Sequence, residues 1–144
     1  MMRQSGVIFS DVTGTVGRTP MVELGRLAKG LPGRVVAVEP AGAAALSGHP
    51  AGEHQIPGIG VGFIPDVLNR AILDEVIAVT DDEAFEMTRR LAREEGILAG
   101  VSSGAAAHAA LTLAVRPDAA GKTIALLLAD TGERYVTTAL MSSA

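Results

Sequence analysis

Residues 74–111, DEVIAVTDDEAFEMTRRLAREEGILAGVSSGAAAHAAL, contain the alternation of strand and helix that decides the fold. The first part of this stretch is β-branched and apolar, which is typical of a short buried strand. The next part predicts a helix, because Thr80 and Glu83 form a capping box, two aspartates follow the cap, and Gly96 ends the pattern. A second, alanine-rich helix is predicted from about Gly104 to Val115.

Two further apolar runs extend this alternation. RVVAVEP at residues 34–40 predicts a buried strand, and TIALLLA at residues 123–129 predicts the last strand. A long glycine-rich loop is expected over residues 41–64. A helix is expected to begin at Pro65, because proline suits the first helical turn. Strands that alternate with helices predict an α/β domain with a parallel sheet.

The composition is that of a single domain with an aliphatic core. The chain has 144 residues, of which 48% are hydrophobic and only 3% aromatic. Residues 1–34 differ in composition from the rest, because glycine, threonine and proline recur among them. The predicted organisation is therefore an N-terminal segment at residues 1–34 and a C-terminal α/β domain at residues 35–144.

Charge and cysteine content exclude several classes of function. The net charge is −4 and no basic run is longer than Arg89–Arg90, which argues against a nucleic-acid partner or a membrane-surface patch. The chain has no cysteine, so disulfides and thiolate chemistry are excluded, and no metal site is predicted. No secretory signal is recognised, and no apolar run approaches the roughly 18 residues of a membrane helix. We therefore expect a soluble, cytoplasmic protein.

Ser102 and Ser103 lie where a short apolar run, ILAGV at residues 97–101, meets the second predicted helix, and more than one role is open for them. Either hydroxyl could cap the helix by accepting from the amides of the first turn. A helix N-terminus of this kind can also hold a polar atom of a cofactor. Two other candidate loops, GIGVGF at 58–63 and DTGERY at 130–135, lie at predicted strand ends, where ligands of parallel sheets gather. GIGVGF is not a dinucleotide motif, and a turn with positive φ is its simpler interpretation.

A third role for the serine pair is hydrolytic. GVSSG at residues 100–104 matches G-x-S-x-G, with Ser102 as the nucleophile. In that fold an acid and then a histidine follow the serine, yet no histidine follows the candidate acid Asp130. An unrelated arrangement that uses an upstream or helical histidine remains the weaker alternative.

These motifs resemble one known family over nearly the whole chain. VVAVEP, IPGIGVGFIPDVL, the stretch at residues 74–111 and DTGERY closely resemble the C-terminal half of cysteine synthase, also called O-acetylserine sulfhydrylase. TVGRTPMVEL at residues 15–24 resembles the N-terminal strand of that family. The resemblance implies an α/β, parallel-sheet core of the tryptophan-synthase β-like fold (fold type II of pyridoxal-phosphate enzymes). It also implies the family reaction, β-replacement of O-acetylserine with sulfide to give cysteine, in a cytoplasmic homodimer that binds an amino-acid substrate.

The resemblance further implies which positions contact the pyridoxal phosphate. The family's serine that hydrogen-bonds the pyridine nitrogen corresponds to Ser103, with Ser102 beside it. A glycine-rich loop near the substrate face and an acidic turn near the ring nitrogen supply the other implied contacts, which are Gly58, Gly60, Gly62, Asp130 and Thr131. A cofactor contact by Ser103 is compatible with helix capping.

The family's Schiff-base lysine has no counterpart in this sequence. Lys29 and Lys122 are the two lysines, and neither has the family's Ser-Val-Lys-Asp setting. The loops that hold the substrate carboxylate and the cofactor phosphate are also missing. The resemblance therefore implies a cysteine-synthase-like protein truncated to about one domain, without catalytic residues of its own and not active by itself. The alternative is a binding or assembly module that pairs with itself or with a full-length relative, since strands without neighbours expose their edges.

Overall fold

The computed structural model describes residues 33–135, and every element named below lies in that part. Its strands and α-helices are β1 (Val36–Pro40), β2 (Glu75–Val79), α1 (Asp81–Glu95) and α2 (Val101–Ala114). Four short 3₁₀ turns are found at Ala41–Ala43, Arg70–Ile72, Pro117–Ala119 and Gly132–Tyr135. The predicted N-terminal segment lies almost entirely outside the described residues, as do residues 136–144 of the predicted C-terminal domain.

The two predicted strands at residues 34–40 and in EVIAVT are confirmed, and they form a parallel pair. Val36 lies opposite Glu75, and the register continues to Pro40 opposite Val79. A parallel pair needs a long crossover between its strands. Here the glycine-rich loop and the turn at Arg70–Ile72 provide the crossover.

Helix α1 matches its prediction at both ends. The Glu83 amide donates to Thr80 Oγ1 at 3.3 Å, and the Thr80 amide donates to Glu83 Oε2 at 2.9 Å, which is the predicted capping box. Gly96 ends the helix in the left-handed region, with a φ of 69°. Local sequence alone therefore determines where this helix begins and ends.

Helix α2 begins at Val101, earlier than the expected start near Gly104, and its N-cap is Gly100. The prediction that Ser102 or Ser103 caps the helix is therefore wrong, because both lie inside the first turn. Gly104 lies against α1, where an added Cβ would come within 2.3 Å of the Ala84 carbonyl oxygen. The two helices can approach this closely only because residue 104 has no side chain.

The core is aliphatic, as the composition predicted. It contains Ile56 from the long loop, Val79 from β2, Ala84 from α1, and three residues of α2, namely Val101, Ala105 and Ala109. Small side chains on α2 let that helix lie close to both α1 and the sheet. Ile56 is fully buried, so the long loop at residues 41–64 is anchored to the core although it contains little regular structure.

Two sequence predictions are wrong. The helix expected from Pro65 is reduced to the turn Arg70–Ile72, which begins where the Asn69 side chain accepts from the Ala71 amide. Val67, in the middle of the expected helix, is 95% exposed, so no core packs against that segment. Residues 123–129, expected as a strand, form no ladder with any described residue, because strand propensity cannot form a ladder without a neighbouring strand.

Candidate cofactor-binding site

The N-terminus of α2 and the turn at residues 130–135 are held together by backbone hydrogen bonds. The Gly100 amide donates to the Asp130 carbonyl oxygen at 3.1 Å, and the Gly132 amide donates to the Leu98 carbonyl oxygen at 3.1 Å. An isolated antiparallel bridge joins Ala99 and Thr131. The structure thus brings together two of the three loops singled out in the sequence.

The carboxylate of Asp130 lies at the N-terminus of α2. A Cβ added to Gly100 would lie 1.9 Å from Asp130 Oδ1, so this oxygen occupies the space of the missing N-cap side chain. A negative charge at this end of a helix is stabilised by the helix dipole, typically by about 0.3–1 kcal/mol. The Asp130 carboxylate therefore lies beside the first turn of α2 without capping it by a side-chain hydrogen bond.

Tyr135 holds the other oxygen of that carboxylate. Its hydroxyl donates to Asp130 Oδ2 at 2.6 Å, and this hydrogen bond, with burial, raises the pKa of the Tyr135 phenol above its ordinary value. Asp130 Oδ1 is buried, and no group in residues 33–135 donates a hydrogen bond to it. Sequence reasoning missed this role of Tyr135, because its spacing from Asp130 matters only once the turn has formed.

Ser103 joins α2 to the segment that precedes the acidic turn. Its side chain is fully buried, at 0% exposure, and its Oγ accepts from the Ala129 amide at 3.1 Å. Ser102, one residue earlier, is only partly buried. Of the two serines, the one expected to contact the cofactor is therefore the one covered by protein.

The glycine-rich loop contains the positive-φ turn that the sequence GIGVGF at residues 58–63 predicted. Gly58, Gly60 and Gly62 have φ values of 89°, 65° and 81°. The imidazole of His54 contacts the backbone of this loop at two points. Its Nε2 lies 3.0 Å from the Gly60 carbonyl oxygen, and its Nδ1 accepts from the Ile56 amide at 3.2 Å. These two contacts together require the neutral tautomer with hydrogen on Nε2. Sequence reasoning did not assign this bracing role to His54.

The glycine-rich loop approaches the other two loops only through the core. Ile59 from this loop and Tyr135 from the acidic turn both pack against the buried cluster around Val101. No hydrogen bond within the described residues joins Gly58, Gly60 or Gly62 to the serine pair or to Asp130. The glycine-rich loop and the acidic turn therefore share the core, but no hydrogen bond among the described residues joins the three loops into one polar site.

The hydrolase alternative finds no support in the geometry. His108 Nε2 lies 3.5 Å from Glu83 Oε1, and both ring nitrogens of His54 have partners inside their own loop. Among the residues that the structure describes, no histidine is hydrogen-bonded to Ser102 or Ser103. A serine nucleophile needs an adjacent base, and none is present there.

Residues 33–135 contain no group of three or more histidine and acidic side chains that could hold a metal ion. None of the helices found there has the length and apolar character needed to span a membrane.

Comparisons with known proteins agree with the resemblance seen in the sequence. Residues 27–130 match the model of the family described as pyridoxal-phosphate dependent enzyme. A cysteine synthase of Staphylococcus aureus is 50% identical over 108 residues, which cover 75% of this chain and 34% of that protein. The chain therefore spans about one third of the length of this curated relative.

Solved structures give the same result for the fold. Cysteine synthase of Entamoeba histolytica superposes with a TM-score of 0.80 at 40% identity, covering 82% of this chain and 35% of the other. An O-acetylserine-dependent cystathionine β-synthase of Helicobacter pylori gives a TM-score of 0.68 at 39% identity, covering 75% of this chain and 35% of the other. The expected α/β, tryptophan-synthase β-like core is confirmed. The chain belongs to the family of pyridoxal-phosphate dependent enzymes, and it is cysteine-synthase-like over the part that it shares with them.

Proposed function

We propose that this chain is a non-catalytic, cysteine-synthase-like binding module that does not carry out β-replacement by itself. The observation that carries the proposal is the burial of Ser103, whose Oγ already accepts from the Ala129 amide. In this proposal Ser103, Ser102, Gly58, Gly60, Gly62, Asp130 and Thr131 correspond to the cofactor-binding positions of complete family members.

The residues at the end of α2 do not fit pyridoxal phosphate as they are arranged. The pyridine nitrogen would need access to Ser103 Oγ, yet that side chain is covered on all sides. The N-terminus of α2, which would otherwise favour an anionic group, already faces the carboxylate of Asp130. Both observations support a site at which protein groups occupy the positions that the cofactor would need.

The lysines of the chain support the same proposal. Pyridoxal-phosphate chemistry needs an amine that forms a Schiff base with the cofactor aldehyde. Lys122 is exposed and precedes the segment 123–129, whereas the candidate site lies at the far end of that segment. Lys29 lies outside the described residues, in a sequence setting unlike that of the family's lysine.

Spectroscopy with mass analysis tests this proposal directly. The purified full chain would be mixed with pyridoxal phosphate and its absorbance recorded before and after borohydride reduction, with Lys122→Arg and Lys29→Arg as matched variants. We expect the spectrum of the free cofactor and only scattered, substoichiometric adducts. A stoichiometric reduced adduct that one lysine variant abolishes would overturn the proposal.

A turnover assay supplies the second test. Cysteine formation from O-acetylserine and sulfide would be followed with the full chain, and a complete cysteine synthase such as that of Staphylococcus aureus would serve as the positive control. We expect no cysteine above the rate without protein. Pyridoxal-phosphate-dependent turnover by the purified chain alone would contradict a non-catalytic role.

A further inference from the structure

An open groove lies between β1 and the segment that failed to form a strand. One wall is β1, with Val36 and Val38, the other wall is residues 122–127, and the floor is α2, with Ala109 and Leu113. The volume of this open groove is about 610 Å³. Most of its lining surface is apolar, and charged side chains line it near residues 116–122 and at Arg34.

Within residues 33–135, both walls of the open groove are backbone edges without a strand partner. Strand β1 pairs with β2, and no other described strand pairs with it. Within the described part of the chain, the backbone of residues 123–128 forms no hydrogen bond, and the first anchored group is the Ala129 amide. Two unpaired edges that face one apolar groove form a template for an added strand.

The wall segment has the sequence of a strand that would fit such a groove. Residues 123–129, TIALLLA, contain no charge and no proline or glycine. Leu126, Leu127 and Leu128 are 46%, 71% and 37% exposed. An exposed, unpaired and uncharged segment of this kind is prone to pair with another copy of itself.

We propose that the open groove is a self-association surface, in which segment 123–129 of a second copy of this chain is inserted between β1 and segment 123–129 of the first. The insertion is reciprocal, so the strand order is β2, β1, second segment, first segment, second β1, second β2. Segment 123–129 thus forms one wall of the open groove in its own copy and fills the open groove of the other copy. In the resulting two-fold dimer, neither copy of the segment lies at the edge of the sheet. This inference rests on the proposed binding role, for which it names the partner and the surface.

Oligomeric state is the first test of the surface. The full chain would be studied by sedimentation velocity from low to high micromolar concentration, beside Leu127→Lys in the segment and Val67→Lys outside the open groove. We expect a concentration-dependent dimer that Val67→Lys preserves. Leu127→Lys is expected to weaken it about a hundredfold or more, because residue 127 lines the open groove, where association would remove water from an unpaired charge. A monomer at all concentrations, or equal effects of the two variants, would overturn the inference.

Cysteine cross-linking gives a second test that does not depend on a destabilising variant. Because the chain has no cysteine, single substitutions at residues 124–128 introduce the only thiol in the protein. Oxidation should link two copies at one or more of these positions, where the segments adjoin at the two-fold axis, whereas Val67→Cys, which lies outside the open groove, should form no covalent cross-link. Absence of cross-links across the whole segment would contradict the proposed strand order.

Hydrogen exchange distinguishes an open groove that a second copy fills from one that other residues of the same chain cover. The amides of residues 123–128 should be protected at high concentration and should lose that protection on dilution. Protection that is independent of concentration would mean that the chain's own remaining residues cover the open groove, and the inference would be wrong. The proposed lack of catalysis would stand in that case, since the cofactor and turnover assays measure it separately.

Discussion

The substitution Gly104→Ala tests the closest contact in the fold. A Cβ at residue 104 would lie 2.0 Å from Thr88 Oγ1 and 2.3 Å from the Ala84 carbonyl oxygen. Ordinary carbon–oxygen contacts are about 3.3 Å or longer, so α1 and α2 would have to separate by about 1 Å. The backbone of α1 cannot rotate away from this contact as a long side chain could.

Two effects of opposite sign decide the magnitude for Gly104→Ala. Replacing glycine by alanine inside a helix stabilises it by about 1 kcal/mol. Forcing an extra methyl group into a packed interface costs about 1–3 kcal/mol, or more where backbone must move. Because two contacts fall below 2.5 Å, we expect the packing cost to win. The expected result is a net loss of about 2 kcal/mol in the free energy of unfolding.

Urea unfolding followed by circular dichroism measures this difference. Gly33→Ala is the matched control, since a Cβ there meets no atom within 4 Å, and its effect should stay within about 0.5 kcal/mol. The double variant Thr88→Ala with Gly104→Ala removes the contact with Thr88 Oγ1 and should recover only part of the loss, because the Ala84 contact remains. A Gly104→Ala protein that unfolds at higher urea than the parent would refute the packing argument.

Three further substitutions test other parts of the molecule by urea unfolding. Glu39→Gln should cost about 1–3 kcal/mol, because its buried carboxylate accepts from two loop amides and a serine hydroxyl, whereas the exposed Glu53→Gln should cost little. Gly60→Ala should cost more than Gly121→Ala: both have positive φ, but only at Gly60 would the Cβ meet other atoms, 2.5 Å away in a proline ring. Tyr135→Phe should lower stability at neutral pH. The raised pKa of the phenol means that its contribution is present below pH 10 and is lost as the pH rises through the folded-state value, so the gap between parent and variant should close in strong alkali.

Sequence reasoning succeeded where the determining contacts are local. The ends of α1 follow from Thr80, Glu83 and Gly96, which act within one turn of the residues they cap. The strands β1 and β2 follow from short β-branched runs beside loop residues. In each case neighbouring residues supply the interaction that determines the element.

Sequence reasoning failed where a distant residue decides the outcome. Gly100, the N-cap of α2, is held by a backbone hydrogen bond to Asp130, which lies thirty residues later, and the Asp130 carboxylate leaves no room for a side chain at residue 100. Residues 123–129 have the composition of a strand, but a strand needs a partner, and no described residue pairs with them. The segment after Pro65 carries a helix-start signal but no face that the core covers, so propensity alone did not produce a helix.

The two ends of segment 123–129 behave differently for a physical reason. At its carboxyl end, Ser103, Tyr135 and Asp130 form hydrogen bonds with neighbours, because a side chain can rotate to a new partner. A backbone edge has no such freedom, since its donors and acceptors alternate along a line and only another strand matches them. Ser103 Oγ and Asp130 Oδ2 therefore have partners within one chain, although Asp130 Oδ1 has none among the described residues, whereas the edges of the open groove would gain partners from the proposed second strand. We therefore propose association, rather than cofactor chemistry, as the property that this arrangement favours.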